Sequence, residues 1–255
     1  MNTRLDVVST ITEAYGGAWC NLGEMVRLIW FPVALYLVFS IARVFVDVET
    51  QFFLALVLEI ASLFLWPVIA VTWHRFILLG DEPSGPVHFH FGRREAVFLL
   101  VSIFLILLFI PGAALSLAAA ELQETPSGAL LALFGLFLVA IAIYFFVRLT
   151  LLLPAVAIGD PVDPRLVLER TRGNFWRLLA VMFAVGAPIL LLSSLAGSLM
   201  AGGGAMQLMA VALAAFVYVF FAVVNVAVLS IAYRELVGPP GSVPRDSERH
   251  IDPTF

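Results

Sequence analysis

Apolar residues run along the chain in blocks too long for a soluble core and are broken only by short polar segments. A helix crosses the hydrocarbon core of a bilayer with about 20 apolar residues. Six blocks meet that length, at about 25–46, 52–74, 96–119, 129–153, 178–200 and 206–233. The last two come from one stretch without a charged residue between Arg177 and Arg234, and "AGGGA" at 201–205 marks the turn between them. The pattern predicts an all-α integral membrane protein with six transmembrane helices over 1–237, followed by a polar, Pro-rich, disordered tail at 238–255.

Composition agrees. Hydrophobic residues make up 62% of the 255 and charged residues only 13%, with a mean hydropathy of +1.04. Soluble domains carry about a quarter charged residues. No soluble domain is left over, so a nucleic-acid partner is not expected. Cys20 is the only cysteine, which excludes an intramolecular disulfide. No apolar core precedes it, so a cleavable leader is not expected.

Charge sets the orientation. Every lysine-or-arginine position is arginine, 14 in all. With both termini cytoplasmic, Arg43 alone lies outside and the other 13 lie inside. Cytoplasmic loops carry such an excess, so both termini are placed in the cytoplasm of a bacterium bounded by its inner membrane. Asp47, Glu49, Glu121 and Glu124 then fall in the external loops.

Two cytoplasmic segments read as interfacial helices. In "DPRLVLERTRGNFWRLLAV" (163–181), Asp163 fits an N-cap and Pro164 the first helical position. A helix over 163–177 would put Arg165, Glu169 and Arg172 on one face, with Trp176 at interface depth. Arg165, Arg170, Arg172, Trp176 and Arg177 are therefore candidates for binding anionic lipid head groups. At 3–20, Leu5, Val8, Ile11, Tyr15 and Trp19 recur at helical spacing, behind a Thr3/Asp6 capping box. That face either lies on the membrane or docks on a partner.

The chain also repeats itself. Glu13, Gly17 and Pro32 have counterparts in Glu169, Gly173 and Pro188 at one offset of 156. Pro111 gives the third span its own central proline. The even spans close on an aromatic, then Arg75, Arg148 or Arg234, then Gly80, Gly159 or Gly238. These regularities predict three helical hairpins, each an interfacial lead-in, a Pro-kinked span and a return span.

Candidate chemistry is sparse. Glu59 is the one acid well inside a span and Asn225 lies past the middle of the sixth; both are intramembrane polar candidates. Glu59 serves either an ion or proton site or helix packing against Asn, Ser or a carbonyl. His74, His88 and His90 are the only side chains suited to acid–base work, and the H-x-H pair lacks the further ligands a metal site needs. Neither a metal nor a cofactor is expected. Asp160 and Asp163 in "GDPVDP" read as a turn followed by a cap.

The block "RLTLLLPAVAIGDPVDPRLVLERTRGNFWRLLAV" (148–181) resembles a family of uncharacterised multi-span bacterial inner-membrane proteins. That family is similar to the membrane domain of some glycerophosphodiester phosphodiesterases. No catalytic domain follows Gly238, so the resemblance implies fold and location without that activity. The expected function is a non-enzymatic, lipid-interacting membrane protein, a scaffold or accessory with anionic lipids and a membrane protein as partners. The alternatives are a transporter or lipid-moving protein using Glu59 and, third, an intramembrane enzyme. The orientation is checked at Cys20: an impermeant thiol reagent should leave it unlabelled in intact cells and label it once they are permeabilised. Labelling of intact cells would reverse the topology.

Overall fold

The computed structural model describes residues 4–81, 89–122, 125–200 and 204–242. Among them, six helices are long and apolar enough to cross a membrane, and no strand is present. The chain is an all-α, multi-pass membrane protein. A lead-in helix α1 (Val7–Cys20) precedes α2 (Leu22–Ala42) and a single 3₁₀ turn, Arg43–Phe45. The return helix is α3 (Phe52–Leu79). The second hairpin is α4 (Arg93–Leu107) with α5 (Ile110–Glu121), then α6 (Pro126–Leu149) with α7 (Leu152–Ile158). A short α8 (Pro164–Arg170) leads into α9 (Phe175–Met200) and α10 (Gly204–Leu236). The last thirteen residues of the tail, 243–255, and the break at 201–203 lie outside the described residues.

Prolines shape these helices, because each removes one amide donor and clashes with the turn before it. Pro32, Pro67 and Pro188 sit inside continuous helices. Pro111 instead follows the turn at Leu108–Phe109 that divides the third span, where Phe109 N–H bonds Ile106 O at 3.0 Å. Pro154 follows a similar division at Thr150–Leu151.

Packing is tightest within the hairpins, above all where α5 meets α6. A Cβ added at Gly135 would lie 2.9 Å from Ser116 Oγ, and one at Gly112 would lie 2.9 Å from the Val139 amide nitrogen. Small residues let the two backbones approach, as membrane helices require when no hydrophobic force drives them together. Buried side chains concentrate in the half of the molecule that carries most of the arginines. One cluster surrounds Tyr233 and Leu151, another surrounds Trp73 and Ile69. At the opposite end, Phe53, Leu117, Leu130 and Leu133 are exposed, as apolar side chains on a membrane-spanning helix can be.

Two of the three expected glycine closures are alike in structure, while Gly238 takes φ 135° instead. Gly80 closes α3 and Gly159 closes α7, both left-handed (φ 63° and 83°), where any L side chain is strained. His74 on α3 and Ser230 on α10 are 156 residues apart, the repeat offset, and touch each other. The two lead-ins differ from expectation. Asp6 is the N-cap of α1, accepting from Val8 and Ser9 N–H at 3.1 Å each, and Thr3 of the expected capping box lies outside the described residues. α1 packs on α9, α10 and α2 of its own chain through Thr10, Ala14 and Ala18, while Val8 and Trp19 are exposed. The expected 163–177 helix is instead α8, ending at Arg170, and a turn with Gly173 at φ 81°. Arg172 therefore leaves the shared face with Arg165 and Glu169, and Trp176 and Arg177 belong to the first turn of α9.

Candidate functional site

The arginine-rich end is built around one buried cation. Arg148 stands one turn after Tyr144 on α6, and its guanidinium lies over the Tyr144 ring, 5.0 Å from the centroid. It is buried, and among the described residues its hydrogen-bond partners are all neutral. Nε donates to Thr171 Oγ1 at 3.0 Å, Nη1 to the Tyr144 hydroxyl, and Nη2 to the Leu168 carbonyl in the last turn of α8. Thr171 Oγ1 donates onward to Val167 O at 2.7 Å. A buried charge is costly unless its donors are met. Here the carbonyl end of α8, the negative end of its dipole, meets them.

That anchor fixes the turn at Thr171–Asn174, and the turn in turn holds the N-terminal segment. Asn174 Oδ1 accepts from Leu5 N–H at 3.0 Å, and Arg177 Nη1 donates to Leu5 O at 2.6 Å. Both backbone groups of Leu5, itself fully buried, are thereby satisfied by one short motif 169 and 172 residues away. Tyr15 of α1 points its hydroxyl at Ala184 O, 3.5 Å away, the outer limit of a hydrogen bond. Pro188 leaves that carbonyl without its helical donor. Burial pushes the Tyr15 phenol above its usual range, so it remains a donor.

The three repeated arginines share a role. Each reaches from the end of a return span to the segment that follows in the ring of hairpins. Arg75 Nε donates to Asp81 Oδ2 at 2.8 Å, Arg148 holds α8, and Arg234 pairs with Glu13 on α1 at 2.6 Å, closing the last hairpin on the first.

Of the five residues expected to face lipid, Arg177 is thus an internal tie. Arg165, Arg170 and Arg172 are exposed, and Trp176 is 76% exposed. A second basic feature went unread in the sequence. A cleft of about 540 Å³ between α4 and the end of α7 is lined by His90, Arg93, Arg94, Glu95 and Asp160. Gly92 caps α4 and its N–H donates to Glu95 Oε2 at 2.8 Å, so "GRRE" was the available signal. Asp160 accepts from the Tyr233 hydroxyl at 2.9 Å and from Gly241 N–H at 3.2 Å, while Asp163 caps α8 as expected.

The intramembrane candidates separate. Glu59 pairs with Arg43 at 2.7 Å, not with Asn225, Ser or a carbonyl. Asn225 is half-buried on α10. His74 is fully buried, with Nδ1 2.7 Å from Ser230 Oγ. Ser230 donates to Val226 O at 2.9 Å, so His74 Nδ1 carries the proton and Nε2 is left without a partner. His88 lies outside the described residues, and His90 is away from His74 in the α4 cleft. Among the described residues, no three His, Cys, Asp or Glu side chains converge on a point that could hold a metal ion. Compared with family models, curated proteins and solved structures, the chain matches none.

The Leu5 tie is open to direct measurement. Asn174→Ala leaves a buried N–H unmet, at a cost of about 1–3 kcal/mol. Amide exchange across 7–20 should then speed up by about tenfold, one decade per 1.4 kcal/mol, with α3 and α10 unaffected. Unchanged exchange in α1 would show that its packing alone holds it.

Proposed function

We propose that the protein is a non-enzymatic, lipid-interacting scaffold or accessory of a bacterial cytoplasmic membrane, with its arginine-rich end and both termini in the cytoplasm. One observation carries this reading: Trp176 is 76% exposed beside the exposed Arg165, Arg170 and Arg172, on a mount that Arg148 holds rigid. Trp prefers the membrane interface, and cytoplasmic leaflets are anionic. A rigid basic surface at that depth loses little entropy on meeting a phosphate.

Other features support the same choice. His74 is sealed from solvent, so the best acid–base candidate has no route to a substrate. Glu59 is committed to Arg43, which argues against its use as a free proton-carrying carboxylate. The likeness of residues 148–181 to inner-membrane proteins fits as well, because the residues of that block are the ones that build the joint. An accessory role would use the same end, where α1 and α8 offer their exposed faces to a membrane-protein partner.

Arg165 and Arg170 are exposed and contribute to no internal tie described above. Each arginine near an anionic surface contributes about 1 kcal/mol, so the double change Arg165→Gln, Arg170→Gln should weaken phosphatidylglycerol retention by about 2 kcal/mol, or about 30-fold. Native mass spectrometry of the purified variant reads this. Undiminished retention would leave these arginines as markers of topology alone.

A further inference from the structure

A second polar cluster lies at the other end of the molecule. Arg43 stands in the 3₁₀ turn that ends the first span, and Glu59 comes seven residues after the start of α3, about 10 Å along its axis. Arg43 Nη1 meets Glu59 Oε2 at 2.7 Å, and Nη2 donates to Ser62 Oγ at 2.8 Å. Ser62 passes its own proton to Leu58 O at 2.8 Å. The pair does not exhaust either charge. The side chains stay 36% and 67% exposed, and Arg43 Nε–H is a buried donor with no acceptor. Nε lies out of reach from outside, whereas each Nη keeps one N–H not used by Glu59 or Ser62.

Two clefts flank this pair. One of about 550 Å³ runs between α2, α3, α4 and α10 over an apolar floor that includes Leu63, Ile69, Leu99 and Ile103. The other, about 510 Å³, runs between α2, α9 and α10 past Val44, Val211 and Ala214. Both lie within the range of small-molecule sites. They share Arg43 and are divided by Tyr36 and Tyr218, whose rings stack at 5.9 Å and 23°.

We propose that this end binds a zwitterionic phospholipid bearing a primary ammonium, of the phosphatidylethanolamine class, drawn from the adjacent leaflet. The phosphate accepts from the spare N–H groups of Arg43, the geometry in which guanidinium binds phosphate best. The ammonium donates to Glu59, and one acyl chain lies in each cleft beside the tyrosine pair. Charge and hydrogen bonding select the head group. An anionic lipid would bring uncompensated negative charge to Glu59, and a choline head has no N–H to give it. The site is independent of the basic face at the other end.

The full-length protein in detergent, titrated with dioleoyl phosphatidylethanolamine, phosphatidylcholine and phosphatidylglycerol and read by native mass spectrometry, tests this. Wild type should hold phosphatidylethanolamine at this site at least tenfold more tightly than phosphatidylcholine. Glu59→Gln should abolish that preference and, by removing the negative charge beside Arg43, raise phosphatidylglycerol binding here. Ser102→Trp, which fills the larger cleft without touching the ion pair, should also lower phosphatidylethanolamine occupancy. It keeps the test decisive if Glu59→Gln fails to fold. Equal affinity of wild type for the two zwitterionic lipids, an unaltered preference in Glu59→Gln, or undiminished phosphatidylethanolamine occupancy in Ser102→Trp overturns the proposal. The arginine arm is read separately, by the phosphatidylglycerol lost in the Arg165→Gln, Arg170→Gln variant.

Discussion

A guanidinium buried without a carboxylate has to be surrounded by oxygens, and that requirement organises the arginine-rich end of this protein. Arg148 draws a threonine hydroxyl, a tyrosine hydroxyl and the carbonyl end of α8 onto itself. Once α8 is held there, Thr171 and Asn174 have only one place to turn, and Gly173 supplies the left-handed residue the turn needs. Asn174 and Arg177 then grip Leu5, and α1 is laid across α9 and α10. A lysine could not substitute, since it lacks the planar fork that reaches three acceptors at once.

The six spans were legible because hydropathy is a local property, and the observed helices match the expected blocks while running a few residues past their ends. The N-cap at Asp163 and the glycine closures at Gly80 and Gly159 were legible for the same reason. The lead-in helices were misread where the local signal was ambiguous. Spacing put Leu5, Val8, Ile11, Tyr15 and Trp19 on one face, yet Leu5, Ile11 and Tyr15 pack inward with Thr10, Ala14 and Ala18 while Val8 and Trp19 stay exposed. Pairings between distant residues left no trace in the pattern. Nothing about Glu59 marks Arg43 as its partner, and Leu5 lies 169 residues from Asn174.

The same physics gives the two ends different chemistry. At the arginine-rich end Arg165 and Arg170 stay exposed while Arg148, Arg177 and Arg234 are spent on internal ties. At the far end Arg43 meets Glu59 between aromatic and aliphatic walls, and Asp47, Glu49, Glu121 and Glu124 leave that side net negative. If both proposed lipid contacts hold, the protein would meet the two leaflets through fixed groups, as a resident organiser of lipid does and a carrier that exposes one site to each side in turn does not.

The chain of support from Arg148 through α8 to α1 is the central claim, and amide hydrogen exchange of Arg148→Gln in detergent tests it most directly. α8 and α1 should lose protection together, while α3 and α10 keep theirs. Full protection of α1 beside a loosened α8 would contradict it, because the N-terminal helix would then be held without the joint.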